Sequence, residues 1–205
     1  TKNRIKSILA FFGIAVPEES GPYWSNPFKE WLWQLELPEA SGTASLRTQL
    51  QLLADTQARL DAVNKQLRQL SKIPPYKRLT QLLCSIPGIG PLSAIALILE
   101  LIDIRRFRNL DKLCSYVGLI PDTAASGETE TTKGITQRSN RYLKNLIVEA
   151  AWVAVTKDPA MMQTFNQLSL RMAKQKAIIR IARKLLARIR FVWINNRPYQ
   201  SRVTN

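Results

Sequence analysis

Residues 45–72 contain neither Gly nor Pro, and an unbroken run of that length is read as one long helix. Leu46, Leu53, Leu60 and Leu67 recur along it at an interval of seven. The partner positions Gln49, Thr56, Val63 and Leu70 become apolar only in the second half. This pattern predicts a coiled-coil-like seam, better formed toward the C-terminal end. The plainer alternative is an ordinary helix packed on its own domain. Pro74-Pro75 ends the run and marks a domain boundary, which divides the chain into 1–73 and 74–205.

The other segments also read as helices. Residues 2–14 place Ile5, Ile8, Leu9 and Phe12 on one face and stop at Gly13 and Pro17. A Pro-, Gly- and Ser-rich connector over 17–45 encloses one short apolar helix, about 27–37, that carries Trp31 and Trp33. These tryptophans suit base stacking or the pinning of a loop. Helices are expected over 77–86, 91–102, 110–117, 138–156 and 159–195, with Asn109 as an N-cap. The stretch 118–137 is polar and ill-suited to a helix. Strand signals are nearly absent, so the expected class is mainly α: a long coiled-coil-like helix followed by a compact helical domain.

Composition removes whole classes of chemistry. The 205 residues include no histidine, which excludes Ser-His-Asp and Cys-His sites, histidine-based zinc sites and a histidine general base. Cys84 and Cys114 lie in apolar runs and form no CxxC pair; they read as reduced core residues of a cytoplasmic protein. With 30 Lys and Arg against 15 Asp and Glu, the net charge is +15, which points to an anionic partner. No apolar run approaches the ~20 residues that span a bilayer. Lys2, Arg4 and Lys6 before an apolar stretch resemble a signal peptide, but no small-x-small cleavage site follows. A start at Thr1 rather than Met is expected of a fragment or a processed product.

Three features carry chemistry. The first is Ile86-Pro87-Gly88-Ile89-Gly90-Pro91-Leu92-Ser93-Ala94. Two glycines around one apolar residue permit a sharp turn, and the amides of the next helix then point outward, where a phosphate can bind. This resembles a helix-hairpin-helix turn, a binder of DNA backbone; a structural αα-turn is the alternative. The second feature is Gly118-Leu119-Ile120-Pro121, then Ser126-Gly127, then Lys133, Arg138, Ser139, Asn140, Arg141 and Lys144. The cations suit successive phosphates or a phosphoryl transition state; a solvated basic face is the alternative. The third is the last helix, with Lys174, Lys176, Arg180, Arg183, Lys184, Arg188 and Arg190 around an Ile/Leu stripe. No Asp or Glu occurs in 159–205, so this helix is expected to meet an anion, or a membrane surface in the weaker reading. Glu100 and Asp103 share a helix face, but no third carboxylate joins them, and no metal site is expected in this chain.

The order IPGIGPLSA, FRNLDKLCSYVGLIP, SG and KGITQRSNRYLKNLIVEAAW resembles the C-terminal domain of the insertion-sequence 110 family. These are Piv-like, or DEDD, transposases, described as bridge-RNA-guided recombinases. The resemblance covers 82–155. It implies a serine that attacks DNA and forms a phosphoserine intermediate, and position after GLIP maps that serine onto Ser126. It also implies an N-terminal RuvC-like domain, absent from this chain, whose carboxylates bind Mg²⁺ and complete the site in the full-length protein. DNA, a structured guide RNA and a second copy through the 45–72 helix are the implied partners, with no membrane. The family commonly has Gly where Ser139 stands, so Ser139 is a rival hydroxyl. The nucleic-acid-binding candidates are Gly88, Gly90, Lys133, Arg138, Asn140, Arg141, Lys144, Lys174, Lys176, Arg180, Arg183 and Lys184. A fragment of this kind is expected to bind nucleic acid and oligomerise but not to cut DNA alone. The alternative is a helix-hairpin-helix DNA-binding module with no chemistry. A tyrosine recombinase is disfavoured, because Tyr199 lacks a clustered Arg/Lys/His set.

Overall fold

The computed structural model describes the backbone of residues 1–126, 129–135 and 139–200, and the side chains of 1–120 and 139–200. The fold is mainly α, as the periodicity predicts. Two compact units divide the chain, Thr1–Lys65 and Gln66–Asn205, and the division falls within the long helix.

The first unit holds α1 (Lys2–Phe11), α2 (Asn26–Gln34) and most of α3 (Ala40–Leu70). Ser25 caps α2 by accepting from the Phe28 amide, and Pro27 sits in its first turn. Ile5, Leu9, Phe28, Leu32, Leu46 and Leu50 form the core of this unit. Trp24 packs edge-on and Trp31 at a tilt against Phe28, which is fully buried. The heptad leucines of α3 therefore divide. Leu46 is buried within the unit, whereas Leu60 and Val63 are 52% and 50% exposed.

The second unit begins with the last residues of α3 and continues through α4 (Tyr76–Cys84), α5 (Pro91–Leu101) and α6 (Leu110–Val117). Asn109 caps α6 by accepting from the Lys112 amide, and Gly118 closes it in the left-handed region. A two-stranded antiparallel hairpin follows, β1 (Pro121–Ser126) paired with β2 (Thr129–Ile135). The polar stretch 118–137 carries no clear strand signal in the sequence, so the hairpin is not legible there.

Then come α7 (Arg141–Lys157), α8 (Pro159–Ser169) and α9 (Lys174–Asn195). The single helix expected over 159–195 is thus two. The apolar stripe explains the break. Met161, Phe165 and Leu168 share one helix face, whereas Ile178, Ile181, Leu185 and Ile189 lie roughly a third of a turn away at 3.6 residues per turn. One straight helix cannot turn both stripes to the same core, and the chain breaks between Ser169 and Lys174. The rear stripe makes α9 the centre of the unit, packed on α4, α6, α7 and α8. Asp158 caps α8 by accepting from the Ala160 and Met161 amides.

Candidate nucleic-acid interface

Charge is distributed very unequally between the units. Residues 1–65 hold 7 Lys/Arg and 7 Asp/Glu, whereas 66–205 hold 23 and 8, so the whole surplus of +15 belongs to the second unit. Any anionic partner is attracted there.

The turn between α4 and α5 is built around its glycines. Gly88 has φ +92 and lies against α7, where a Cβ would overlap the Ala150 carbonyl oxygen. Ile89 is buried, which ties the turn to the core. Gly90 has a different environment. It is the N-cap of α5, with φ −98, and a Cβ added to it would meet nothing within 4 Å. The space beside Gly90, at the opening of α5, is therefore uncrowded. Arg68 and Lys72, at the end of α3 and just beyond it, share with Gly90, Pro91 and Ser93 a cavity of about 360 Å³. Cations and a helix N-terminus both favour an anion in that space.

The segment from Gly118 to Lys144 is only partly described. Ser126 ends β1 and pairs with Thr129, and Lys133 lies in β2. Their side chains, and all of Arg138, lie outside the described residues. Ser139 packs on Gly118, whose φ of +82 and lack of a Cβ allow the approach. Asn140 is the N-cap of α7. Its side-chain oxygen accepts from the Leu143 amide, and its side-chain nitrogen donates to Glu100 at 2.7 Å. Both ends of that amide are thus used within the fold. Arg141 and Tyr142 are exposed at the start of α7, and Lys144 is half-buried.

The basic α9 separates into two groups of cations. Lys174, Lys176, Arg180 and Lys184 are exposed, and Lys184 donates to the Thr164 hydroxyl at 3.0 Å. Arg183, Arg188 and Arg190 are half-buried and engage partners on other elements instead. Arg183 pairs with Asp111 of α6 at 3.1 Å, Arg190 donates to the Phe107 carbonyl, and Arg188 pairs with Asp158. Local sequence shows no acid near α9, but the acids that pair with it come from α6 and from the α7–α8 corner.

Among the described residues of the unit, Asp158 is the most enclosed charged group, with a fully buried side chain. Burial alone pushes its carboxyl up. The Tyr199 hydroxyl at 2.8 Å, the Arg188 charge and the Met161 amide outweigh burial and hold it below the ordinary aspartate value. Sequence reasoning missed this group, because its partners lie 30 and 41 residues away. Burial pushes the Cys84 and Cys114 thiols up, although the Arg183 charge draws Cys114 partly back. Neither is poised as a thiolate nucleophile.

Among the described residues, no three His, Cys, Asp or Glu side chains come together as a metal site. Glu100 is engaged by Asn140, and Asp103 accepts from the Arg105 amide. The described residues therefore do not fit a Mg²⁺ centre. Among them, too, no helix is long and apolar enough to cross a membrane.

A helical unit with a large positive surplus and an open, cation-flanked helix start has the features of a nucleic-acid-handling domain. Residues 80–166 match the sequence model of the Transposase IS116/IS110/IS902 family. The matched stretch is similar to that family, in agreement with the resemblance carried by its motifs. It is 25% identical over 154 residues to the "Transposase for insertion sequence element IS1111A" of Coxiella burnetii, covering 73% of this chain and 40% of the relative. It is 28% identical over 167 residues to the "Insertion element IS110 uncharacterized 43.6 kDa protein" of Streptomyces coelicolor, covering 79% and 40%. It is 27% identical over 158 residues to a "Probable family 20 transposase" of Pseudomonas aeruginosa, covering 75% and 45%. The matched stretch thus spans less than half the length of each of these relatives.

Proposed function

We propose that this chain is the nucleic-acid-holding and serine-bearing part of a DNA transposase, and that it acts with a metal-binding domain carried elsewhere in a longer protein. The observation that carries the reading is the coincidence of the family match with the basic unit. Residues 80–166 lie wholly within the unit that holds the entire charge surplus.

In this account the α4–α5 turn works as a helix-hairpin-helix element. Gly88 fixes the turn against α7, Gly90 leaves room for a backbone phosphate, and Arg68 and Lys72 add charge. Arg141, Lys144 and the exposed cations of α9 hold further phosphates. Ser126 is the nucleophile. Its Oγ forms a bond to phosphorus, and the bridging phosphorus–oxygen bond of the strand breaks. The Oγ proton leaves to an external base, and the departing strand oxygen takes up a proton. A phosphoserine linkage results. Serine needs this outside help, since its hydroxyl is a weak nucleophile at its free pKa. Lys133 and Arg138 stabilise the charge that develops on phosphorus. A structured guide RNA selects the DNA by base pairing, and a second copy joins through α3, where Leu60 and Val63 are exposed at heptad-compatible positions.

The direct test is binding of the 205-residue chain to duplex DNA across a salt series. A steep loss of affinity with rising salt is expected, with a log–log slope of about −0.9 per phosphate contact. Affinity that does not change with salt contradicts the electrostatic basis of the reading.

A further inference from the structure

Asn196 adopts the left-handed region at the end of α9 and turns the chain back. The returning segment is anchored at Tyr199. Its amide donates to the Ser85 hydroxyl at 2.7 Å, and its own hydroxyl donates to Asp158 at 2.8 Å. Between α9 and this segment lies a cavity of about 610 Å³. That volume falls within the roughly 300–1,000 Å³ common for small-ligand sites.

The lining combines cations with aromatic rings. Lys184, Arg188 and Arg197 contribute cations, Phe191 and Tyr199 contribute rings, and among the described residues no Asp or Glu lines it. Arg188 is already matched by the buried Asp158, and its guanidinium lies 4.8 Å from the Tyr199 ring centroid. One buried carboxylate thus holds two of the walls in place, so they need little reordering when a ligand enters. The charge not matched within the cleft belongs to Lys184 and Arg197. Phe191 is 60% exposed, although its neighbours Val192 and Trp193 are buried. A large ring left exposed beside cations offers a stacking surface next to phosphate partners.

We propose that this cleft holds an unpaired nucleotide of a nucleic-acid strand, its base on Phe191 and its phosphates on Lys184 and Arg197. The inference rests on the nucleic-acid reading above and refines it by strand type. A duplex offers phosphates and base edges, whereas a ring in a cleft needs the flat face of an unstacked base. An acidic peptide with an aromatic residue is the rival occupant.

The test uses the full chain with labelled oligothymidylate and with a duplex of equal length. Phe191→Ala is expected to weaken single-strand binding about five- to a hundred-fold, the usual effect of removing one stacking ring, and to leave duplex binding unchanged. Phe191→Trp is expected to retain binding, and its added fluorescence to quench when the oligothymidylate binds. Lys184→Gln with Arg197→Gln is expected to lower the salt slope for the single strand. Because Phe191 is exposed, circular dichroism should show all variants folded. If wild-type binds duplex but Phe191→Ala leaves single-strand affinity intact, this inference fails alone. If wild-type binds neither nucleic acid at low salt, the nucleic-acid reading fails with it. Equal competition by an acidic aromatic peptide also overturns the inference.

Discussion

Gly88 lies so close to the Ala150 carbonyl oxygen of α7 that its α-carbon has no room for a side chain. Its positive φ adds strain for any L-residue. Gly88→Ala is therefore expected to destabilise the chain by more than about 1 kcal/mol, measured by urea unfolding. Gly90, two residues on, faces open space at ordinary φ. Gly90→Ala should cost less than Gly88→Ala in stability. It should weaken DNA binding, because the new methyl occupies the approach to the α5 amides. Equal destabilisation by both substitutions would remove the distinction between a packing glycine and a binding one.

Asp158 joins α8, α9 and the returning C-terminal segment through one carboxylate. Truncation leaves Arg188 half-buried without its partner. Asp158→Ala is expected to cost about 3–5 kcal/mol, read from chemical unfolding. The carboxyl is held below the ordinary aspartate value, so it stabilises the ionised folded state. That contribution is complete above about pH 4, the unfolded aspartate value, and is lost as pH falls further through the folded one. The acid limb of the wild-type unfolding midpoint should flatten in Asp158→Asn.

The cations of α9 should separate by experiment into two classes. Lys176 and Arg180 are exposed, so Lys176→Gln and Arg180→Gln should each reduce the salt slope of DNA binding by about 1, with little change in stability. Arg183 is committed to Asp111, whose side chain is largely exposed. Arg183→Gln should cost no more than about 1 kcal/mol and affect binding less than Arg180→Gln.

Asn140 caps α7 and reaches Glu100. Asn140→Ala is expected to lose about 0.5–2 kcal/mol of stability through the cap. Asn140→Asp keeps the cap acceptor but sets a carboxylate against Glu100, so it should recover only part of that loss. A large effect of Asn140→Ala on DNA affinity without a stability change would show that the amide also serves the ligand.

Much of this architecture is legible in local sequence. The span 110–117 appears as predicted, with its Asn109 cap, because cap, apolar stripe and terminal Gly118 all lie within a few residues. The αα-turn at 87–90 is legible for the same reason. The break between α8 and α9 is harder to see, since Ser169–Lys174 contains neither Gly nor Pro and only a phase change marks it. The roles of Arg183, Arg188 and Asp158 depend on partners 30 to 72 residues away, which no local pattern reveals. Likewise, Gly88 and Gly90 look equivalent in the motif, and only the approach of α7 distinguishes them.

The proposed function turns on Ser126 as the nucleophile. It is tested most directly in the longer protein with its guide RNA, by assaying recombination and the covalent protein–DNA adduct for Ser126→Ala and Ser139→Ala. Ser126→Ala is expected to abolish both product and adduct while Ser139→Ala retains them. An adduct that survives Ser126→Ala would contradict it and leave Ser139, or a role limited to binding, as the explanation.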